Sequence, residues 1–419
     1  MIVHMAHRFS AMVDQGTGIR IGVVDPSSGG YFIAKRVLER GFDCVAISSS
    51  GELRSDIDFR STLHASTFDF DNELTRLAFN AIIPGAESGV RLTDDLASRL
   101  GLVGNNPKTT SWRRSKTAMA RAVRDAGISL CRQARCASLD DADAWAEDIG
   151  FPIVVKPEES SGSDLVRVCN NRQELLHHAG MILSGQDKYG QNTHGVLVQE
   201  FMSGDEYTVD GVVSQGKLTV FAVGRYRKIN RDGAIIYDKI DFFAPHSPTL
   251  DTRILPYCEA VTRAVGVNVG PVHIEIMLTP NGPLLVEIAA RSHGGIGTSV
   301  IDAHFEPSFI DAIIDSYLPE HSDGPALEVS QRKSASIAFL IANRSGTFVS
   351  APGESRIKSL PSFVRLKWFV APEEDIATTV DLATCPALVE LAHEDPAVIE
   401  ADIRAIRDIE SSNEMLEIR

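Results

Sequence analysis

Two glutamates, Glu275 and Glu287, lie in otherwise apolar sequence between Gly270 and Gly297. The turn sequence Thr-Pro-Asn-Gly separates two apolar runs, so the stretch is predicted to form a β-hairpin. A hairpin that closes symmetrically about Asn281 would place the two carboxylates directly opposite each other, with Cβ atoms about 5 Å apart. Like charges repel at this distance unless a cation lies between them. Hard divalent ions such as Mg²⁺ prefer such oxygen ligands, often together with nucleotide phosphates.

Strict alternation along the hairpin predicts which side chains share a face. The predicted apolar face carries Val272, Ile274, Ile276 and Leu278 on the first strand and Leu284, Val286, Ile288 and Ala290 on the second. The other face carries His273, Glu275 and Met277, then Leu285, Glu287, Ala289 and Arg291. On that face Arg291 could reach a phosphate or a substrate carboxylate. Two solvated glutamates without a metal are the alternative interpretation, and the hairpin alone leaves both open.

The composition favours some classes of protein and argues against others. A chain of 419 residues is too long for one compact core, so about two to four domains are expected. The formal net charge of −15 argues against nucleic acid or an anionic membrane as the main partner. No apolar run approaches the roughly 18 residues of a membrane span. The six cysteines include no CxxC pair, which favours a reduced, cytoplasmic protein.

The elements that must position these residues begin with a parallel α/β domain at residues 20–110. Short buried strands alternate there with small-residue turns and helical patterns. Its third predicted strand ends at Pro84 and leads into Gly-Ala-Glu-Ser-Gly-Val, a place where such sheets carry ligand-binding groups. Glu87 is the only charged residue of this loop. It could hold a substrate ammonium group, because an unpaired buried charge is costly, or it could cap the helix beginning near Arg91.

Two lysines and a serine-glycine loop stand out in the following segment. Lys116 lies on a helix that is predicted to start at Ser111. Lys156 ends an apolar strand, an unusual place for a lone lysine unless it meets an anion. A polar turn at residues 158–164 separates this strand from the next. A strand, a small flexible loop and a second strand cover phosphates in several nucleotide-binding folds.

In chain order, Lys116, FPIVVKP with its serine-glycine loop, VLVQEFMSGDEYTVDG, and the pair IEIML and LLVEIAAR closely resemble the ATP-grasp superfamily. The resemblance covers about residues 110–300. The loop GAESGV with LASRLGLVGNNP, and the ending EIAARSHGG, resemble more narrowly the ATP-grasp L-amino-acid ligases of the bacilysin-synthetase and dapdiamide-synthetase type. Those enzymes join two amino-acid-like molecules through an acyl phosphate.

The resemblance implies an α/β fold of the α+β ATP-grasp type. After a disordered lead-in at residues 1–19, we expect the parallel α/β domain at 20–110 and an ATP-grasp core at 111–323. A mobile lid would span about residues 128–200 of the core. A small C-terminal α/β subdomain, a cap packed on the core, would follow at 324–419.

The resemblance also implies roles for individual residues. The ATP-binding set would be Lys116, Lys156, Ser160, Ser161, Gly162, Ser163, Gln199, Glu200, Phe201, Met202 and Glu206. The catalytic set would be Arg291, Lys156 and Lys116, and the metal ligands would be Glu275 and Glu287. Mg²⁺ is the expected ion, with Mn²⁺ as a substitute. Substrate would contact Glu87, Arg291, Gly294 and Gly295. Ala289 departs from the family pattern, because many members have a third metal ligand, asparagine, at that place.

The expected function is therefore an ATP-dependent ligase that forms an amide bond between small-molecule carboxylate and amine substrates. Alternatives are transfer of the activated carboxylate to a carrier-protein thiol, or a carboxylation like that of biotin-carboxylase-like members. A nucleotide-binding regulatory module without turnover is a third hypothesis, which the complete set of charged residues argues against. No nucleic acid or membrane partner is expected, and the sequence leaves a homodimer open.

Overall fold

The computed structural model describes residues 18–50, 53, 56–158, 165–185, 195–231, 234–318, 328–412 and 414–419. Nearly all of the expected lead-in at 1–19 lies outside these residues. In the described part of the chain, no helix is long and apolar enough to cross a membrane. All six cysteines are free and buried, in agreement with the absence of a CxxC pair.

The N-terminal domain is built on a four-stranded parallel sheet. Its strands are β1 (Arg20–Val24), β2 (Asp43–Ser48), β3 (Ser61–His64) and β4 (Ala81–Pro84), in the order β3-β2-β1-β4. Its helices are α1 (Gly29–Glu39), α2 (Phe70–Leu77) and α3 (Val90–Leu100). Strands β1, β2 and β4 are almost entirely buried, as expected for a parallel sheet that helices cover, whereas only Leu63 is buried on the edge strand β3. The predicted parallel α/β arrangement is confirmed.

A second, antiparallel sheet forms the unit predicted as the lid. Its strands, in the order β5-β8-β6-β7, are β5 (Gln133–Cys136), β6 (Ile153–Pro157), β7 (Arg167–Cys169) and β8 (Val196–Glu200). The helices α5 (Leu139–Ile149) and α6 (Arg172–Ser184) belong to the same stretch of chain, whereas α4 (Lys116–Asp125) precedes it and packs in the core of the large sheet. Apolar residues of α5 and α6 pack on this sheet and give it a core of its own.

The prediction that α4 starts at Ser111 was wrong. Residues Pro107–Arg113 form a 3₁₀ segment, and α4 begins only at Lys116. The Ser115 hydroxyl accepts a hydrogen bond from the backbone N–H of Ala118 at 3.3 Å, so Ser115 is the N-cap residue. A serine at this position stops the helix from extending backwards and places Lys116 in its first turn.

The largest sheet has eight strands in the order β13-β12-β9-β10-β11-β16-β20-β18. The remaining elements of the described chain are β9 (Asp205–Ser214), β10 (Lys217–Arg231), β11 (Ala234–Phe243), α7 (Ile254–Ala264), β12 (Gly270–Thr279), β13 (Gly282–Ala289), α8 (Gly297–His304), β14 (Phe305–Glu306), α9 (Phe309–Ser316), β15 (Ser330–Gln331), β16 (Ser334–Phe339), β17 (Gly346–Ser350), α10 (Glu354–Lys358), β18 (Phe363–Trp368), β19 (Asp375–Ile376), β20 (Ala387–His393), α11 (Pro396–Ser411) and β21 (Glu417–Ile418).

The C-terminal segment is not a separate cap, which corrects the expectation from sequence. Its strands β16, β20 and β18 extend the large sheet, because β11 pairs antiparallel with β16. The small strands β17, β19 and β21 form a sheet of their own. Strands before and after the expected boundary at residue 324 therefore belong to one hydrogen-bonded sheet.

Helix α9 packs against both α1 of the N-terminal domain and β9 of the large sheet. Apolar residues of α1 and α9 belong to one buried cluster that also includes residues of β9, β10 and β11. At the edge of this contact Arg36 Nη2 lies 2.9 Å from Asp302 Oδ2, and Arg40 Nη1 lies 2.8 Å from Asp315 Oδ1. This packing brings the loops at the carboxyl ends of β1 and β4 towards the polar face of the large sheet.

Candidate active site

The hairpin of β12 and β13 places Glu275 directly opposite Glu287, as the sequence predicts, but by a different route. Thr279 pairs with Gly282, so the turn has two central residues. A hairpin centred on Asn281 would have had an odd number of them. Regular pairing from this turn would place Glu275 opposite Val286. A β-bulge next to Glu275 leaves Val286 as an extra residue and thereby restores the pairing of the two glutamates.

The bulge also reverses part of the predicted face pattern. Leu285, expected beside Glu287, is 3% exposed and belongs to the same apolar core as Ile276. Leu284 and Val286, expected in the core, are only half-buried. A shift of one residue sends every side chain beyond it to the opposite face. The face prediction was therefore wrong on β13 between the turn and the bulge, and correct beyond the bulge and along β12.

Polar side chains from two neighbouring strands share the face that carries Glu275. In the pairing of β12 with β9, His273 lies opposite Asp210, Glu275 opposite Thr208, and Met277 opposite Glu206. Because successive side chains alternate between faces, Asp210, Thr208 and Glu206 lie on the same face as Glu275. The register of two strands more than sixty residues apart in sequence thus collects carboxylates and an imidazole in one area.

Two lysines lie close to this pair of glutamates. Lys116, in the first turn of α4, places Nζ 3.3 Å from Glu287 Oε2. Lys156, near the end of β6, is only 4% exposed. Burial, together with the nearby positive charge of Lys116, lowers the pKa of Lys156 to about 8, while Glu287 and Glu275 partly oppose this shift. The structure therefore brings together the two lysines and both predicted metal ligands.

The predicted adenine-binding segment follows the last residues of β8. The Gln199 side chain is buried and turned towards β5, where its amide donates to Gln133 Oε1 at 3.3 Å. The Glu200 side chain is exposed, and its Oε2 accepts from the backbone N–H of Arg132 at 3.3 Å. Phe201 and Met202 come after the strand and are half-buried. Hence the side chains of Gln199 and Glu200 are engaged with neighbours from the predicted lid.

Glu206, the predicted ribose-binding acid, is buried at the start of β9. Its carboxylate forms an ion pair with Lys228 and accepts from the Tyr237 hydroxyl at 3.3 Å. Burial raises the pKa of Glu206, although the charge of Lys228 opposes this effect. Lys228 and Tyr237 lie opposite each other on β10 and β11, so two further strands contribute to this corner of the site.

Glu87 binds two arginines, one of which had no predicted role. Its Oε2 accepts from Arg291 Nε at 3.0 Å, and its Oε1 accepts from Arg114 Nη1. Burial alone would raise the pKa of Glu87, but Arg291 and Arg114 outweigh this effect and lower it. No side-chain hydrogen bond caps α3, so the helix-capping alternative was wrong. Arg114 stands two residues before Lys116 in a basic run, the one sequence signal that could have indicated it.

The predicted substrate glycines lie where the N-terminal domain meets the loop after β13. The backbone N–H of Gly295 donates to Ser28 Oγ at 2.7 Å. Ser28 belongs to the turn between β1 and α1. The turn also lies close to the loop after β13 at its next residue, because a Cβ on Gly29 would lie 2.3 Å from Ser292 Oγ. This position of the turn therefore requires glycine. The turn between β1 and α1 thus holds the loop that contains Gly294 and Gly295, shortly after Arg291.

Three buried residues beside Glu275 had no predicted role. Asp210, His273 and His293 form a hydrogen-bonded cluster in which each histidine Nδ1 contacts one oxygen of Asp210. Although burial alone would lower the pKa of His273, Asp210 and Glu275 raise it to about 9. Burial and the neighbouring His273 lower the pKa of His293, despite the attraction of Asp210. Alternation marked the shared face of His273 and Glu275, but nothing local indicated Asp210 or His293.

One predicted phosphate-binding segment lies outside the described residues. It comprises Ser160, Ser161, Gly162 and Ser163, so its predicted contact with ATP stays a prediction. The strands on either side, β6 and β7, pair antiparallel as expected for a hairpin.

Comparisons with known proteins agree with this arrangement. Residues 149–300 match the family described as ATP-grasp domain. Dapdiamide A synthase from Enterobacter agglomerans is 26% identical over 412 residues, covering 93% of this chain and 96% of the relative. The L-arginine-specific L-amino acid ligase from Bacillus subtilis is 23% identical over 241 residues, or 57% of each protein.

Solved structures share the fold over nearly the whole chain. The crystal structure of L-amino acid ligase from Bacillus licheniformis has a TM-score of 0.77 at 18% identity and covers 96% of this chain and 98% of its own. The ADP complex of N5-carboxyaminoimidazole ribonucleotide synthetase has a TM-score of 0.70 at 12% identity, with 94% and 98% covered. These likenesses confirm the predicted fold class. Residues 149–300 therefore carry an ATP-grasp domain, within a chain whose fold is similar to that of an L-amino acid ligase over nearly its whole length.

Proposed function

We propose that this chain is an ATP-dependent carboxylate–amine ligase that joins two amino-acid-like substrates through an acyl phosphate and releases ADP and phosphate. The observation that carries the proposal is the pairing of Glu275 with Glu287 beside Lys116 and the buried Lys156. Its narrower part, the amino-acid-like substrates, is supported by the similarity to dapdiamide A synthase over nearly the full length of both chains.

The donor set of the hairpin fits a divalent metal ion. Glu275 and Glu287 supply two carboxylates from rigid, paired strands, and like charges held opposite each other favour a cation between them. Mg²⁺ is the proposed ion, with Mn²⁺ as a substitute. A divalent ion here would offset the negative charge of the nucleotide phosphates and of the phosphoryl group in transfer. Ala289 supplies no third ligand, so water or substrate would complete the coordination.

ATP would extend from this hairpin to the end of β8. Lys116 and Lys156 would contact its phosphates, because their cationic groups lie beside the paired glutamates. Main-chain groups from Gln199 to Met202 would contact the adenine, since the first two side chains of this segment are engaged elsewhere. Glu206 would accept from ribose hydroxyls while it retains its contacts with β10 and β11.

In the first step, an oxygen of the substrate carboxylate attacks the γ-phosphorus of ATP. A new O–P bond forms, the bond to ADP breaks, and an acyl phosphate results. A free carboxylate is a poor acyl donor because oxide would have to leave, whereas phosphate leaves readily from the mixed anhydride. Positioning and electrostatic stabilisation provide most of the catalysis in phosphoryl transfer, which explains the dense charge near Lys116 and Lys156.

In the second step, the neutral amine of the other substrate attacks the carbonyl carbon. The C–N bond forms, the bond to phosphate breaks, and the nitrogen loses a proton. Arg291 would steady the acyl phosphate, held in place by its contact with Glu87. Glu87 would also meet a substrate ammonium group, because a carboxylate has about four lone-pair sites and the two arginines leave room for another donor. Water must be excluded at this stage, or the acyl phosphate hydrolyses.

A product screen tests the proposed function. The enzyme is incubated with ATP, Mg²⁺ and pooled amino acids, and products are identified by mass spectrometry while ADP release is followed. A dipeptide-type amide that requires both substrates supports the proposal, with Glu287→Gln as the inactive control. ADP release that needs one acid alone, without an amide product, would contradict an amine acceptor. The cytoplasmic location stays a prediction, and a homodimer stays open.

A further inference from the structure

A buried cluster outside the proposed metal and nucleotide residues lies directly beside Glu275. Its members are Asp210 on β9, His273 on β12 and His293 in the loop after β13, and they are 0, 5 and 7% exposed. Three segments of the chain therefore converge on one polar contact inside the protein. Buried polar groups are costly unless their hydrogen bonds are satisfied, so the pattern of contacts indicates what the cluster does.

Asp210 uses both of its oxygens to hold the two histidines. His273 Nδ1 donates to Oδ1 at 2.8 Å, and His293 Nδ1 donates to Oδ2 at 2.9 Å. The other ring nitrogen of His273, Nε2, donates to Glu275 Oε1 at 3.2 Å. Ionised carboxylates only accept hydrogen bonds, so the His273 ring presents an N–H to each of its two partners. The ring is thereby fixed between Asp210 and Glu275.

Glu275 needs such a partner because Glu287 lies directly opposite on β13. Lys116 Nζ, 3.3 Å from Glu287 Oε2, offsets the charge of that carboxylate. The ring of His273 contacts Glu275 from the same strand, with Nε2 3.2 Å from Oε1. Each of the two opposed carboxylates therefore has a nitrogen partner of its own, which keeps the pair in a defined arrangement before an ion binds between them.

We propose that Asp210 and His273 are positioning residues that fix the Glu275 carboxylate for metal binding, and that His293 completes the network by fixing Asp210. The inference rests on the proposed function, because it takes Glu275 as a metal ligand. Groups that hydrogen-bond to a metal ligand orient it, and their loss costs about 10–100-fold in metal affinity or activity. The network also joins the metal-binding strand to the loop that carries Gly294 and Gly295.

A metal ion held by the cluster itself is the alternative, because ligand atoms of all three residues lie within 4.8 Å of one another. The two Nδ1–oxygen separations of 2.8 and 2.9 Å are hydrogen-bond lengths. Ligand atoms around one tetrahedral ion with bonds of about 2.1 Å would instead lie about 3.4 Å apart. The distances therefore favour hydrogen bonding over coordination.

The test measures Mn²⁺ binding to the full-length protein in the presence of ADP, using the electron paramagnetic resonance signal of free Mn²⁺. His273→Asn keeps a donor near the Nδ1 position but cannot reach Glu275, and we expect it to raise the Kd for Mn²⁺ about 10–100-fold. His273→Gln, whose amide nitrogen lies near the Nε2 position, should recover part of the affinity. Asp210→Asn should weaken binding in the same direction as His273→Asn.

His304 provides a matched control, since it is also buried and its Nε2 lies 3.0 Å from a carboxylate oxygen of Glu390. His304→Asn should lower the melting temperature without changing the Kd for Mn²⁺. Unchanged Mn²⁺ affinity in folded His273→Asn and Asp210→Asn would overturn the positioning role. So would a transition metal that co-purifies stoichiometrically with the wild type and is lost in Asp210→Asn. If the wild type binds no Mn²⁺ with ADP, the proposed function itself fails.

Discussion

Glu287→Gln is expected to abolish turnover while leaving the fold almost unchanged. The substitution keeps the size and shape of the side chain and removes one negative charge. It removes a proposed metal ligand, and it also ends the contact between Glu287 Oε2 and Lys116 Nζ at 3.3 Å. Turnover would change through the loss of the metal ligand, and stability through the loss of the ion pair.

Two electrostatic changes act on stability and oppose each other. At 3.3 Å the Coulomb attraction to Lys116 is about 5 kcal/mol at an effective dielectric constant of about 20, and about 1 kcal/mol in bulk water. The net contribution is far smaller, because both side chains keep some exposure, 10% for Lys116 and 22% for Glu287. Loss of the charge also relieves repulsion from Glu275, which is about 0.2–1 kcal/mol for like charges directly opposite. The free energy of unfolding should change by less than about 1 kcal/mol.

Turnover should fall far more than stability. Loss of a group that merely orients a metal ligand costs about 10–100-fold, so loss of the ligand itself should cost at least about 100-fold. A 100-fold loss corresponds to about 2.7 kcal/mol of transition-state stabilisation. The assay is the initial rate of ADP release at saturating Mg²⁺, alongside thermal and urea unfolding. The control is Glu259→Gln, which changes an exposed glutamate on α7 that pairs with Arg263.

Near-normal turnover of a folded Glu287→Gln protein at saturating Mg²⁺ would refute the metal assignment. A large loss of stability would contradict the reasoning in a different way. It would mean that the carboxylate holds the hairpin and Lys116 together, and that its charge is structural. Glu275→Gln should reproduce the loss of turnover, because its carboxylate is the opposite half of the same pair.

Three other predictions concern the remaining parts of the site and its hairpin. Lys156→Ala should weaken ADP binding, measured by calorimetry, more than it lowers the melting temperature; unchanged affinity would make Lys156 structural. Glu87→Gln should reduce activity selectively with an amino-acid donor relative to its des-amino analogue, whereas an equal loss with both would leave Glu87 only a partner of the arginines. Leu285→Ala should cost about 2–5 kcal/mol in urea unfolding, as for buried leucines, and clearly more than Leu284→Ala. Equal costs would mean that the bulge does not reverse the faces of β13.

Much of the site could be predicted because its chemistry follows local patterns. The charged residues stand in short apolar strands or beside small-residue turns, where they are expected to be buried. A buried charge usually has an oppositely charged partner or binds a metal, so its function can be predicted. Lys156 at the end of β6 and the two glutamates of the hairpin are of this kind. Glu87 was selected in the same way, but its partners were not, because Arg114 and Arg291 lie 27 and 204 residues away from it in sequence.

The sequence by itself determined the alternation of strands and helices in the N-terminal domain apart from β3, the hairpin of Glu275 and Glu287, and the ATP-grasp domain within the chain. Turn chemistry and alternation act over a few residues, so they can be recognised without the fold. Tertiary structure alone decided the bulge that brings the glutamates opposite each other, the joining of the C-terminal strands to the large sheet, and the contact of Asp210 with both histidines. These features depend on the pairing of distant strands, and packing in the folded chain selects one register among several that local sequence permits.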